Sequence, residues 1–327
     1  MGRYITRRIL FALLTLFFIT IIVFFASVRI HESTLERMCE NFAVTGEGFD
    51  CINELKHILG LDQPFYLHYW NWITGMFRGD FGRMLWEYKP ISDEIAKRFP
   101  VTFELILLSF IFAHLIAVPL AFLASRWRNK AALVVSKIFE TVFNAVPIFW
   151  LITLVWVFPD IWWRWTPPLK YFSFSDDWLA NTRFLIVPSV LMGLYISAFL
   201  LRTYREIFSD TLHANYIRAA RAKGLRKQVV FIRHGVPNAL VPVLKKLAEL
   251  LPVSFCMAIF FEGTIAFPRI SRFFLDAIGQ RDFPVIAGTL FILAGFCLIV
   301  FLLTDLVCAW LDPRLRYPDL QQVPENL

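Results

Sequence analysis

Charge is what this sequence has least of. Only 18% of its 327 residues are Asp, Glu, Lys or Arg, against roughly 25% in a typical soluble domain, and the mean hydropathy is +0.57. Too little polar surface remains to cover a water-soluble globule, which excludes a soluble enzyme. Catalytic signatures are missing as well. No Gly-x4-Gly-Lys-Ser/Thr run occurs, so the chain does not cradle a nucleoside triphosphate in a P-loop and is not its own ATPase. His-Glu-x-x-His, Cys-x-x-Cys and Gly-x-Ser-x-Gly are absent, leaving no zinc-protease, redox or hydrolase centre. The six histidines are scattered. No enzymatic activity, cofactor or metal is expected.

What the sequence has instead is long apolar runs. A helix needs about 18 or more apolar residues to cross a hydrocarbon core about 30 Å thick. Such runs occupy 9–28, 101–125 (interrupted by Glu104 and His114), 141–158, 184–201, 247–267 and 285–311. The first follows Arg3, Arg7 and Arg8. It exceeds the roughly 7–15 apolar residues of a signal peptide and ends without a small-x-small cleavage site, so it reads as a retained helix. The fifth is the weakest, because Glu249 and Glu262 leave only 250–261 uncharged between them. It still reads as spanning, since both carboxylates fall near its ends and a pathway-lining helix tolerates them. The expected fold is an all-α integral membrane protein with six transmembrane helices.

Orientation follows from where Lys and Arg fall. They crowd into 1–8, into the second-to-third connection (Arg126, Arg128, Lys130), and above all into 202–246, where ten basic residues face only Glu206 and Asp210. Residues 29–100 carry eight basic and eleven acidic residues, and 159–183 carry three of each. Both termini are therefore expected on the cytoplasmic side. The implied organisation is an N-terminal tail and first helix (1–28), a long extracytoplasmic loop (29–100), a five-helix core (101–311) containing the basic loop 202–246, and a cytoplasmic tail (312–327). The basic residues answer to membrane lipid, and no nucleic acid is expected as a partner.

Among the five cysteines, Cys256, Cys297 and Cys308 sit in apolar runs, where a small buried hydrophobe is the expected role. Cys39 and Cys51 fall in the long outer loop, with Gly46 and Gly48 between them, and form a candidate disulfide. His114 suits a relay or a bond to a neighbouring helix. Glu140 and Asn144, one turn apart ahead of Pro147, suit a polar pathway or interhelical bonding, and Glu262 is a further pathway candidate.

The most informative stretch is LHANYIRAARAKGLRKQVVFIRHGVPNALVPV, residues 212–243. From Asn215 to Lys223 it reads as a short basic helix, with Gly224 where a C-terminal cap requires positive φ. One reading is a charge anchor at anionic lipid. Small Ala pairs followed by Gly also suit close approach of another protein, with Ala219 and Ala220 both presented to it.

Here the sequence resembles the membrane subunits of ABC importers. Their cytoplasmic motif is Glu-Ala-Ala, three residues, Gly, nine residues, Ile-x-Leu-Pro. This chain has Arg218-Ala219-Ala220, then Gly224, and after nine residues His234-Gly235-Val236-Pro237. Arg in place of Glu and His in place of Ile look like the dipeptide/oligopeptide permease branch. So do Arg221-Ala222-Lys223-Gly224, Arg233-His234 with Asn238-Ala239-Leu240, the amino-terminal residues 3–8, Gly79-Asp80-Phe81-Gly82, Phe99-Pro100-Val101-Thr102 with Glu104, and Asp312-Pro313-Arg314-Leu315-Arg316-Tyr317. Where that branch has Gly-Leu-Pro-Gly-Ile-Gly, this chain departs with Ala266-Phe267-Pro268-Arg269-Ile270-Ser271.

The resemblance implies a type I ABC importer permease fold. It also implies a second homologous permease, two ABC ATPase subunits and an extracytoplasmic substrate-binding protein as partners. Residues Arg218, Ala219, Ala220, Arg221, Lys223, Gly224 and Pro237 would couple to the ATPases. The implied cargo is di- or oligopeptides, with glutathione, metal chelates or antimicrobial peptides as alternatives. A secondary transporter, the rival class, would show inverted repeats or paired broken helices with midplane charges.

Overall fold

The structure is a computed structural model that describes residues 2–28, 36, 39, 53, 56–57, 62–126, 130–164, 171–264 and 269–312. Among the described residues the chain is helical. The helices are α1 (Gly2–Val28), α2 (Phe65–Phe77), α3 (Ile91–Arg126), α4 (Lys130–Ala145), α5 (Ile148–Trp163), α6 (Trp178–His213), α7 (Asn215–Ala222), α8 (Lys227–Val230), a π-helical turn (Phe231–Gly235), α9 (Val236–Thr264), α10 (Ile270–Gln280) and α11 (Phe283–Leu311). Two compact units share them. One comprises Met1–Arg8, Val101–Phe267 and Ile299–Leu327, the other Ile9–Pro100 and Pro268–Leu298.

By length and apolarity, α1, α3, α6 and α11 can each cross a membrane, and the α4/α5 pair adds a fifth crossing if it counts as one span. The third apolar run is thus not the single straight helix expected, because α4 and α5 meet at a 93° bend. Pro147 causes it. Proline donates no backbone hydrogen bond, and it pushes the preceding residue out of the helical region. At the break the Val146 carbonyl accepts from the Tyr195 hydroxyl of α6 at 2.6 Å. The fifth run lies in α9, whose 29 residues suffice to span by length.

In the first unit α3 and α6 pack through small side chains. Ser109, Ala113, Ala117 and Ala121 recur every fourth residue and are all fully buried, one narrow stripe along a single helix face. Opposite them stands Gly193, where an added Cβ would lie 2.9 Å from both the Ser109 carbonyl oxygen and the Phe112 Cβ. Higher up, α6 is capped by Asp177, whose carboxylate accepts from the amides of Leu179 and Ala180 at 3.0 Å, satisfying donors that a helix start leaves open.

In the second unit, α2 packs on α1, and α10 packs with the first turns of α3 and α11. Ile91, Ile95, Ile270, Phe273, Ala277 and Val285 form one core. Asp282 caps α11 from within it. Its carboxylate accepts from Leu85 N at 2.8 Å and Val285 N at 3.3 Å, so one side chain both starts the last span and holds the loop after Gly82. Arg269, the charged residue that departs from the family pattern, is only 1% exposed. It therefore sits in the interior of its unit, at the start of α10.

Candidate coupling surface

The basic loop folds as a small unit with its own core. Ala214 adopts an extended conformation that ends α6, and the chain restarts at once as α7. Ile217 and Ala220, three apart and so on one face, pack with Val230 of α8 and the partly buried Ala214. This corrects one expectation. Ala219 is exposed, whereas Ala220 turns inward and is only 9% exposed.

Gly224 ends the first half of the loop with φ +80°. Nothing lies within 4 Å of where its Cβ would be, so the position demands glycine for its backbone alone. Around it the surface is mixed. Tyr216, Leu225 and Val229 are each about 42–43% exposed, with Arg218, Lys223 and Arg226 exposed beside them. Tyr216 is anchored at the same time. Burial pushes its phenol pKa up, and side-chain hydrogen bonds with Thr211 and Asn238 pull it part of the way back. Those two bonds join α7 to the end of α6 and the start of α9.

The π-helical turn follows. Its defining bond runs from Val236 N–H to the Phe231 carbonyl, five residues back. Pro237, exposed in the second position of α9, has no N–H to donate, and just beyond it the Asn238 side-chain amide donates to the His234 carbonyl at 2.7 Å. The turn leaves the Phe231 ring 4.4 Å from that of Phe122 on α3, and Phe122 in turn meets Phe208 of α6 edge-on at 6.2 Å. The loop therefore packs against two long helices, α3 and α6, through these rings.

The polar candidates are distributed rather than gathered. Glu140 is drawn to α6, where Arg205 Nη2 donates to its Oε2 at 3.0 Å and Nη1 donates to Ser136 at 2.6 Å. Asn144 is exposed on α4 and apart from that pair. Glu262 lies near the end of α9. The side chains of Arg221 and Glu262 fall outside the described residues. His114 makes the interhelical bond. Its Nδ1 is 2.6 Å from the Phe110 carbonyl, which can only accept, so Nδ1 carries a proton there, and Nε2 shares a hydrogen bond with the Tyr204 hydroxyl at 2.8 Å. Glu104 accepts from Asn181 at 3.0 Å, and beside it Tyr171 is pushed up to about 12, first by burial and then by that carboxylate. Asp305 of α11 pairs with Arg8 of α1 at 3.0 Å. Cys39 is buried and disulfide-bonded, while Cys51 lies outside the described residues. Cys256, Cys297 and Cys308 form no disulfide, and of the three expected to be buried only Cys308 is, Cys256 being exposed and Cys297 half-buried.

Sequence reading missed the Arg205 pair and the α3/α6 small-residue stripe. The first was hidden because Arg205 looks like any other cation of the basic loop. The second was legible in the four-residue recurrence at 109, 113, 117 and 121.

Apolar helices of spanning length, joined by a compact basic loop that carries a positive-φ glycine, define a polytopic membrane protein. The comparisons give the family. Residues 117–317 match the binding-protein-dependent transport system inner membrane component, and residues 1–106 match the N-terminal part of such membrane components. The chain belongs to this family of ABC importer permeases, transport subunits of the inner membrane that are not enzymes. Relatives include the glutathione transport system permease protein GsiC of Escherichia coli strain K12, 29% identical over 320 residues, covering 97% of this chain and 100% of that protein. Its counterpart in Salmonella typhi is 28% identical over 319 residues, covering 97% and 100%.

Proposed function

We propose that this chain is one half of the translocation pathway of an ATP-driven importer of short peptides, paired with a second homologous permease, driven by two ABC ATPases and supplied by an extracytoplasmic binding protein. The observation that carries this reading is the α7–Gly224 unit. It exposes Ala219, Leu225 and a cationic rim to the aqueous phase and clamps its other side to α3 and α6 through Phe231. Closure of the ATPase pair displaces α7, and the linked helices rock between inward-open and outward-open arrangements, because packed bundles switch between discrete states. Both termini lie in the cytoplasm, and Cys39 pairs with Cys51 in the oxidising compartment. Short peptides fit the family resemblance, and glutathione, named for the relatives, is itself a tripeptide with one γ-linkage.

The test is uptake into vesicles holding the assembled transporter, with labelled di- to pentapeptides and glutathione compared side by side. ATP-dependent uptake of any of them supports the reading. Failure of all, with ATPase activity intact, moves the cargo to a metal chelate or an antimicrobial peptide. Uptake that proceeds on an ion gradient without ATP overturns the class.

A further inference from the structure

The helix α2 sits in the segment that sequence reading places wholly outside the membrane, and at 13 residues it is too short to span. Its contacts put it at another depth. The Tyr69 hydroxyl lies 2.9 Å from Thr20 Oγ1 of α1, and Thr20 is five residues inside a span that ends at Phe25, about 8 Å along the helix at about 1.5 Å per residue. The Phe77 ring packs edge-on against Phe291 at 5.5 Å. Phe291 is eight residues into α11, which starts at Phe283, or about 12 Å by the same rise. Both ends of α2 therefore touch spanning helices inside their hydrophobic runs.

The free face of α2 agrees with that depth. Tyr66, Trp70 and Phe77 share one side of the helix and are 71%, 65% and 65% exposed. The helix contains no Asp, Glu, Lys or Arg; the first charge is Arg78, just past its end. The late carbonyls are capped, with Arg78, Gly79 and Asp80 amides donating back to Gly75 and Met76, as a backbone end in a water-poor layer requires. On α1 the neighbouring Ile22 and Phe25 are 68% and 53% exposed, so the aromatic stripe continues the outward apolar surface of a spanning helix.

We infer that α2 is a membrane-embedded helix of the leaflet at the C-terminal end of α1, and that its Tyr66, Trp70 and Phe77 stripe contacts lipid. A Trp and a Tyr at the boundary level suit this occupant, since their rings are apolar with one polar tip. The inference requires α1 and α11 to span but is independent of the cargo.

In the assembled transporter, reconstituted in phosphatidylethanolamine and phosphatidylglycerol nanodiscs, nitroxides are placed at Tyr66→Cys, Trp70→Cys and Phe77→Cys in a background with Cys256, Cys297 and Cys308 replaced by Ala. The ratio of oxygen to nickel-chelate collision rates is expected to exceed severalfold that at Arg83→Cys, on the exposed loop beyond the helix. A ratio equal to that at Arg83→Cys means water and overturns the inference. Loss of both collision rates at all three positions means a protein partner and overturns it as well. Unsubstituted protein supplies a control against misfolding: a lipid with a diazirine on its acyl chain should label the 65–78 peptide, and labelling of α1 without that peptide overturns the inference too.

Discussion

Arg205 and Glu140 stand 2.9 Å apart, Nη1 to Oε1, with side chains only 15% and 14% exposed. The contact joins α6 to α4 just inside the basic loop. A largely buried pair that loses one partner leaves an uncompensated charge, at about 3–5 kcal/mol, whereas replacing both with apolar residues is often neutral. Arg205→Met alone should therefore lower the thermal midpoint of the purified transporter and its abundance in membranes. Arg205→Met combined with Glu140→Leu should recover most of both. If the double variant is as unstable as the single, the pair is not the reason these charges are buried.

That pair also marks where sequence reading stops. Counting cations in 202–246 treats Arg205 like Arg218, although one is enclosed against Glu140 and the other is exposed. Gly224 was legible, because a glycine ending a short helix has a backbone reason to be there, and its φ is positive. The inward turn of Ala220 was legible in principle from its three-residue spacing to Ile217; the Ala-Ala pair, read as a unit, concealed it. The bend at Pro147 was not readable from hydropathy, which registers an apolar run but not its direction. α2 was missed because a 13-residue helix cannot span, and its depth depends on Thr20 and Phe291, which are remote in sequence.

Asp282 gives a pH dependence with a definite sign. Burial raises its pKa from 3.8 to about 6, against the pull of the Leu85 and Val285 amides. The folded state therefore holds this proton more tightly than the unfolded chain. The stabilising contribution is complete below about pH 4 and is lost as pH rises through about 6, a difference of order 3 kcal/mol at 1.36 kcal/mol per unit. Between pH 5 and 7.5 the unfolding midpoint of the parent should fall relative to that of Asp282→Asn, which cannot titrate. Parallel profiles would assign the pH response elsewhere.

Two helical glycines should respond oppositely to a methyl group, Gly193 at the α3/α6 contact and Gly295 on α11. At Gly193 even a methyl group would meet backbone oxygen of Ser109 at 2.9 Å, so Gly193→Ala forces the helices apart and should cost about 1–3 kcal/mol as overpacking. Gly295 of α11 has open space where a Cβ would go, and Gly295→Ala should be neutral or stabilising by up to about 1 kcal/mol through helix propensity. Thermal midpoints in detergent measure both. Equal effects would mean that the close α3/α6 approach does not limit stability.

Coupling should turn on Gly224. Its backbone is left-handed with no neighbouring atom in the way, so the local cost of a side chain there is the conformational one, about 1–2 kcal/mol. Gly224→Asn, which tolerates this conformation better than other residues, should retain most transport. Gly224→Val should keep normal abundance, since the loop core of Ile217, Ala220 and Val230 lies elsewhere, yet lose transport and the substrate-stimulated part of ATP hydrolysis. The exposed Ala219 separates a docking defect from a folding one: Ala219→Glu should uncouple at normal abundance, while Ala220→Glu, inserting a carboxylate into the loop core, should lower abundance as well. Full transport in vesicles by both Gly224→Val and Ala219→Glu would reduce the loop to a charge anchor at the membrane surface and remove α7 from the drive train.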